Sequence, residues 1–217
     1  MSAPVVIAID GTSASGKSTN AKRVAKALDY VYVDTGAMYR TLAWYCLKQG
    51  IDVHDAKKVT AVLKKWKTEL KCVDGAVRML ADGYYPEKEI RTAETSAAVP
   101  HVAAIPKVRE WMKVTQRDCA KFGNLVMEGR DIGSHIFPET EFKFYLDAHL
   151  EERSKRRAAD GVKEDLAARD QRDSQRSAAP LGVALGAMVI NNSGQTPDET
   201  SKIIIDTVRK KFAGAGA

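Results

Sequence analysis

Between Val5 and Thr19 the chain reads VVIAIDGTSASGKST, an apolar run rich in β-branched residues, then a glycine-bearing turn, then Lys17 and Ser18. No other stretch limits the fold as tightly. The run at Val5–Asp10 predicts a strand buried on both faces, as parallel sheets require. Lys17–Leu28 has helical character, with Val24, Ala25 and Leu28 on one side. Gly11, Gly16, Lys17 and Ser18 satisfy G-x-x-x-x-G-K-[ST] in the strand–turn–helix setting that gives the pattern its meaning. At average residue usage the pattern arises by chance in about one chain in a hundred of this length.

The chemistry of that stretch is a cradle for phosphate. Glycines let the backbone N–H groups of the loop, Gly11, Thr12, Ser13, Ala14, Ser15, Gly16, Lys17, Ser18 and Thr19, turn inward at a helix N-terminus. Lys17 is placed to reach the β- and γ-phosphates of ATP, and the Ser18 hydroxyl to ligate Mg²⁺.

Further short apolar runs follow at Val31–Asp34, Asn124–Glu128, Phe142–Asp147 and Ala187–Asn191, separated by helical segments. Thr35 is placed as the N-cap of a helix through Met38, Leu42 and Tyr45. Such alternation predicts an α/β fold with a five-stranded parallel sheet flanked by helices. Glu69–Ile90 breaks the pattern: Asp74-Gly75 and Asp82-Gly83 divide short alternating runs, predicting a small antiparallel β meander. A second, weaker insertion lies around Lys155–Val162, and the AGAGA tail is expected to fray. At 217 residues one α/β domain with insertions fits better than two independent domains.

Where the phosphate goes next is not written in the loop. A net charge of +6 suits nucleotides, nucleic acid and membrane surfaces alike. A Ras-type GTPase would need D-x-x-G and N-K-x-D, and neither occurs; no basic stripe interleaved with aromatics suggests nucleic acid. Cys46, Cys72 and Cys119 are odd in number and far apart, which argues against disulfides or zinc and for a reducing compartment. The start lacks a secretory pattern and no run suits a membrane span, so a cytoplasmic protein is expected.

Arginines recur where a second anion would sit. Arg40 lies one turn into the helix after the second strand, and Arg130 follows the third strand in EGRD. Both positions lie at C-terminal strand ends, where open α/β sheets form their ligand crevice. In AARDQRDSQRSAAP, Arg169, Arg172, Asp173 and Arg176 fall within a helical arc of roughly 100°. Two readings of that arc stand level: arginines converging on an anion, or a solvated face laced by the i,i+4 pairs Asp165–Arg169 and Arg169–Asp173. EERSKRR at Glu151–Arg157 leans to the solvated reading, with Glu151–Lys155 and Glu152–Arg156 as pairs.

Taken in order, IDGTSASGKST, DTGAMYR, EIRTAE, VAAIPKVR, EGRDIG and RDQRDSQRSAAPL resemble the bacterial cytidylate kinases over nearly the whole chain. The resemblance implies a P-loop nucleoside-monophosphate kinase fold in one domain, residues 1–217. Its parts would be a core of about 1–36, 105–154 and 178–217, an acceptor-binding insertion of about 37–104 and a short lid with flanking helices of about 155–177. It implies that Arg40 and Arg130 hold the phosphate of CMP, that Arg109 and Asp131 contact the cytosine or its surroundings, and that Thr35 stands where the family often has serine. Arg169 and Asp173 would touch the ribose, Arg176 the transferring group. Lys17, Arg130, Arg172 and Arg176 are then the catalytic set, with ATP, CMP or dCMP and Mg²⁺ as ligands, no nucleic-acid or membrane partner, and a monomer. Pro100 stands where a serine facing the base is expected, and LGAMVINNS lacks the acidic residues expected around the last strand.

His54, His101, His135 and His149 are given no role, because an acceptor phosphate is already an anionic nucleophile. Two alternatives remain open at this point: a kinase for another monophosphate or small metabolite, and a P-loop NTPase or nucleotide switch.

Overall fold

The computed structural model describes residues 3–159, 161, 165–176 and 178–215. The expected lid therefore falls partly outside the described residues, at positions 160 and 162–164, as does Ser177. In chain order the elements are β1 (Val6–Gly11), α1 (Lys17–Leu28), β2 (Val31–Asp34), α2 (Thr35–Lys48), α3 (Ala56–Lys65), β3 (Thr68–Val73) and β4 (Ala76–Ala81). There follow α4 (Ala93–Ala104), α5 (Pro106–Asp118), β5 (Leu125–Glu128), β6 (Phe142–Asp147), α6 (Leu150–Ala159), α7 (Leu166–Ser174), β7 (Met188–Asn191) and α8 (Pro197–Ala215). They divide into two compact units, Met1–Tyr32 with Gly123–Ala217, and Val33–Phe122.

In the first unit the strand order is β2-β5-β1-β6-β7, with the chain leaving for the second unit midway along β2. β5 and β6 flank β1 in parallel, and β7 extends β6 in parallel. Every residue of β1 is buried, as its unbroken apolar run requires. The chain order of the strands reverses at β1, so its C-terminal end opens at the switch point where α/β sheets bind ligands. Gly11 sits there with φ 148, and a Cβ built on it would lie 2.0 Å from the Leu146 carbonyl oxygen. Only glycine fits that approach of loop to strand.

Helix α6 carries Glu151 and Glu152 in its first turn and Arg156 and Arg157 in its last, matching the helix dipole. Asp165 caps α7 by accepting from the Ala168 N–H. Helix α8 runs through Ala215, so most of the tail expected to fray is helical; its last two residues lie outside the described set.

The second unit starts with a correction. Asp34, not Thr35, caps α2, accepting from the Ala37 N–H at 2.8 Å, and Thr35 is already helical. A carboxylate outcompetes a hydroxyl one residue later because it adds charge to the same N-terminal site. The expected meander is one hairpin: β3 and β4 pair antiparallel around Asp74-Gly75, both in the left-handed region that a tight two-residue turn demands. Asp82-Gly83 makes a second turn that closes only a single bridge, Ala81 to Tyr84, before a 3₁₀ turn at Glu89–Arg91. Seven strands are thus present among the described residues, the five of the core order and the two of this hairpin. Helix α5, expected with the core from residue 105, falls instead within the second unit. Aromatic stacking accounts for part of its place there: Trp66 stacks on Trp111 of α5 at 5.6 Å and on Tyr45 of α2 at 5.1 Å.

Candidate active site

The loop between β1 and α1 closes on Gly16, which takes φ 86 as the cap of α1. Lys17 is buried beside it, with Nζ donating to the Thr12 carbonyl and 3.4 Å from the Ser15 hydroxyl. Burial pushes the Lys17 ammonium well below its ordinary pKa; the positive fields of Arg130 and Arg169 act the same way, against Glu128 and Asp170. A cation held at such a cost is stabilised by an arriving anion, so the charge pattern favours a phosphate here. Asp10, at the end of β1, accepts from the Ile132 and Gly133 N–H groups at 2.8 Å each. Its burial nevertheless raises its pKa to about 6.

Asp173 on α7 is buried between two arginines. Its carboxylate accepts from Arg130 Nε at 3.1 Å and from Arg176. Asp131, next to Arg130, is buried as well. Arg169 is half-buried on the same helix, close enough to act on Lys17. Arg172 differs: it is exposed, and its Nε reaches the Ala168 carbonyl at 3.3 Å. Of the arginine arc read from the sequence, Asp173 and Arg176 are thus drawn together with Arg130, while Arg172 is exposed and bonded to its own helix.

Thr35, Arg40 and Arg109 belong to the second unit. Thr35 is buried in the first turn of α2. Arg40, half-buried, donates to the Ser96 hydroxyl of α4 at 2.6 Å and the Ile90 carbonyl at 3.4 Å. Arg109 is buried on α5, donating to the Ala103 carbonyl, with its guanidinium 5.8 Å from the centre of the Tyr39 ring. Arg91, from EIRTAE, pairs with the α2 cap Asp34 at 3.0 Å. Pro100 lies inside α4, where its missing N–H removes the i+4 donor of the Ser96 carbonyl.

Four further residues of the first unit grip the loop, and spacing did not reveal them. Asp147 at the end of β6 accepts from the Thr12 hydroxyl at 2.9 Å. Asp170 accepts from the Ser13 N–H at 2.9 Å, and Arg153 donates to the Ser13 carbonyl at 3.0 Å. Asn192, just past β7, donates to the Ser15 carbonyl at 2.8 Å and accepts from Arg156. EERSKRR is therefore only half a solvated face. The pairs Glu151–Lys155 and Glu152–Arg156 form, but Arg153 is buried beneath them. A cavity of about 480 Å³ opens from Lys17 and Ser18 past Arg156 to Asn192 and Gln195, a volume suited to a small ligand.

Among the described residues no group of three or more His, Cys, Asp or Glu is arranged to hold a metal ion. Magnesium keeps its waters and is commonly held by one or two protein groups together with substrate phosphates. The exposed Ser18 hydroxyl at the head of α1, on the cavity wall, fits that requirement. Among the described residues no helix is long and apolar enough to cross a membrane.

Residues 7–210 match the profile of the family described as cytidylate kinase. The chain is 42% identical to the cytidylate kinase of Anoxybacillus flavithermus, covering 99% of this chain and all of the relative. It is 40% identical to that of Geobacillus kaustophilus, over 96% of this chain and 98% of the other. The cytidylate kinase of Geobacillus sp. (strain WCH70) is also 40% identical, over 95% and 97% respectively.

Proposed function

Because the chain belongs to the cytidylate kinase family, we propose that it transfers the γ-phosphoryl group of Mg-ATP to CMP or dCMP, giving the diphosphate and ADP. The observation that carries this reading is the cationic site of the first unit. There Arg130 and Arg169 act on buried Lys17 of the phosphate loop, and Arg130 shares buried Asp173 with Arg176. A triphosphate undergoing transfer is the anion such a site stabilises.

In this reading the loop from Gly11 to Thr19 holds ATP. Thr35, Arg40, Arg109, Arg130, Asp131, Arg169, Asp173 and Arg176 bind CMP, and Lys17, Arg130, Arg172 and Arg176 act on the transferring group. A phosphate oxygen of CMP attacks the γ-phosphorus; the bond to the β,γ-bridging oxygen breaks, and ADP leaves with its electron pair. No general base is needed, since the attacking oxygen is already anionic. Arg130 and Arg176 exchange part of their hold on Asp173 for the developing charge, which costs less reorganisation than ordering free side chains. Ser18 would hold magnesium brought in with the phosphates, and the ion would supply charge neutralisation. We also infer a cytoplasmic monomer acting on small nucleotides; the three free thiols, Cys46, Cys72 and Cys119, support a reducing setting.

The test is ADP release from Mg-ATP with CMP, dCMP, UMP, AMP or GMP, beside a control without acceptor. Turnover confined to CMP and dCMP is expected. Equal ADP in every tube, control included, would replace the kinase with an NTPase. Pro100 gives a specific reason to include UMP: a position expected to face the base with a hydroxyl has none, so base selection rests on the residues that remain.

A further inference from the structure

We propose that Arg153 and Asp170 are positioning residues for phosphoryl transfer. They fix the phosphate loop at Ser13 from both sides and tie it to the helix that holds the acceptor-side arginines. This inference rests on reading the site as a kinase centre.

Both backbone polar groups of one loop residue, Ser13, are taken by a single ion pair. The Ser13 N–H donates to Asp170 Oδ1 at 2.9 Å, and the Ser13 carbonyl accepts from Arg153 Nη1 at 3.0 Å. The same Nη1 bonds the other oxygen of Asp170, which closes a ring of carboxylate, guanidinium and peptide. Arg153 is further anchored through Nε to the Ala148 carbonyl at 2.9 Å. The two side chains come from different helices, α6 and α7, and are largely buried, at 9% and 15% exposure.

A buried ion pair adds little net stability over an apolar pair of the same size. What this one adds is geometry: an acceptor on α7 and a donor on α6, matched to the direction of one peptide. Helix α7 then carries two anchors one turn apart. Asp170 holds the loop, and Asp173, three residues on, holds Arg130 and Arg176. Their separation along the helix axis is about 4.5 Å, and the helix that sets it is rigid. Donor loop and acceptor arginines are therefore spaced by a single turn of α7. Transfer needs the attacking oxygen and phosphorus within about 3–3.5 Å and in line, and a misplacement of about 1 Å costs about a hundredfold in rate.

The experiment uses the full chain and measures kcat, both KM values and the melting temperature for four proteins: wild type, Asp170→Ala, Asp170→Asn and the swap Arg153→Asp with Asp170→Arg. Asp170→Ala is expected to lower kcat with CMP about a hundredfold, with both KM values within about threefold of wild type. Asp170→Asn keeps an oxygen for the Ser13 N–H and is expected to recover about tenfold of that loss. The swap is expected to restore melting, because the ion pair re-forms, while kcat stays about a hundredfold low, because Ser13 then meets a donor at its N–H and a carboxylate at its carbonyl. Recovery of kcat together with melting in the swap would make the pair a structural ion pair and overturn the proposal. If the swap does not fold, the two Asp170 variants decide: equal kcat in both, or kcat near wild type in Asp170→Ala, overturns it. A wild type that makes no CDP removes the kinase reading and this proposal with it; an active wild type with an active Asp170→Ala removes this proposal alone.

Discussion

The phosphate loop of the first unit and the arginine-bearing helices of the second are both assigned to nucleotide, yet they are built in different ways. Thr12, Ser13 and Ser15 are held by Asp147, Asp170, Arg153 and Asn192, partners 135 to 177 residues away. Arg40 reaches Ser96, 56 residues on, and Arg109 reaches Ala103, only six residues back. The glycines repeat the contrast: a Cβ on Gly11 would strike the backbone of β6, whereas one on Gly75 in the hairpin turn meets nothing within 4 Å. The loop's shape is thus imposed by the first unit as a whole, and the second unit's arginines are set by nearby helices and turns.

The glycine pair is the harshest test of that contrast. Gly11→Ala is expected to destabilise the protein by at least about 4 kcal/mol, because a backbone clash adds to an unfavourable φ. Gly75→Ala, strained only in φ, is expected to cost about 1 kcal/mol. Urea unfolding of the two variants measures both, and similar losses would erase the distinction. Next, Arg130→Ala is expected to lower kcat/KM for CMP about a hundredfold while changing ATP affinity less than threefold, since it removes a charge-assisted contact to the bound acceptor and to the charge that develops in transfer. Equal loss for both nucleotides would return Arg130 to the donor loop.

Just past the end of α7, Arg176→Ala is expected to reduce kcat about thirtyfold, more than it raises the KM for CMP. The exposed Arg172→Ala is expected to reduce it only about threefold. Steady-state kinetics at saturating ATP ranks the two, and a larger loss from Arg172 would invert the assignment. The last effect is one of stability and pH. Asp10 has its folded pKa raised from the ordinary 3.8 to about 6, chiefly by burial. Its contribution is therefore fully present below about pH 4 and is lost as pH rises through 6, in total about 3 kcal/mol. The unfolding free energy of wild type minus that of Asp10→Asn, followed from pH 4 to 7, should fall as pH rises; a flat difference would show that Asp10 titrates normally.

How much of this was legible in the sequence follows from the same division. VVIAID, VYVD and FKFYLD are read as strands within a residue of their observed ends, because a continuous apolar run and the glycine after it are local signals. The phosphate loop is legible for the same reason. Asp147, Arg153, Asp170 and Asn192 are not, because their contacts depend on the parallel register that sets Asp147 beside Asn191 and Gly11 beside Leu146. Nothing in EERSKRR marks Arg153 as buried while its neighbours pair in solvent. Thr35 reads as a cap because threonine caps well, but the neighbouring Asp34 offers the stronger acceptor. The third run of the expected meander fails for a local reason too: after Asp82-Gly83 the backbone closes one bridge and turns into a 3₁₀ segment.

The most direct measurement follows the labelled γ-phosphoryl group itself. Mg-ATP carrying a radioactive γ-phosphate is incubated with the protein and CMP, and the label is traced by chromatography. Label appearing in CDP, with inorganic phosphate at the level of a blank, is the expected result. Label collecting as inorganic phosphate, at the same rate with and without CMP, would contradict it.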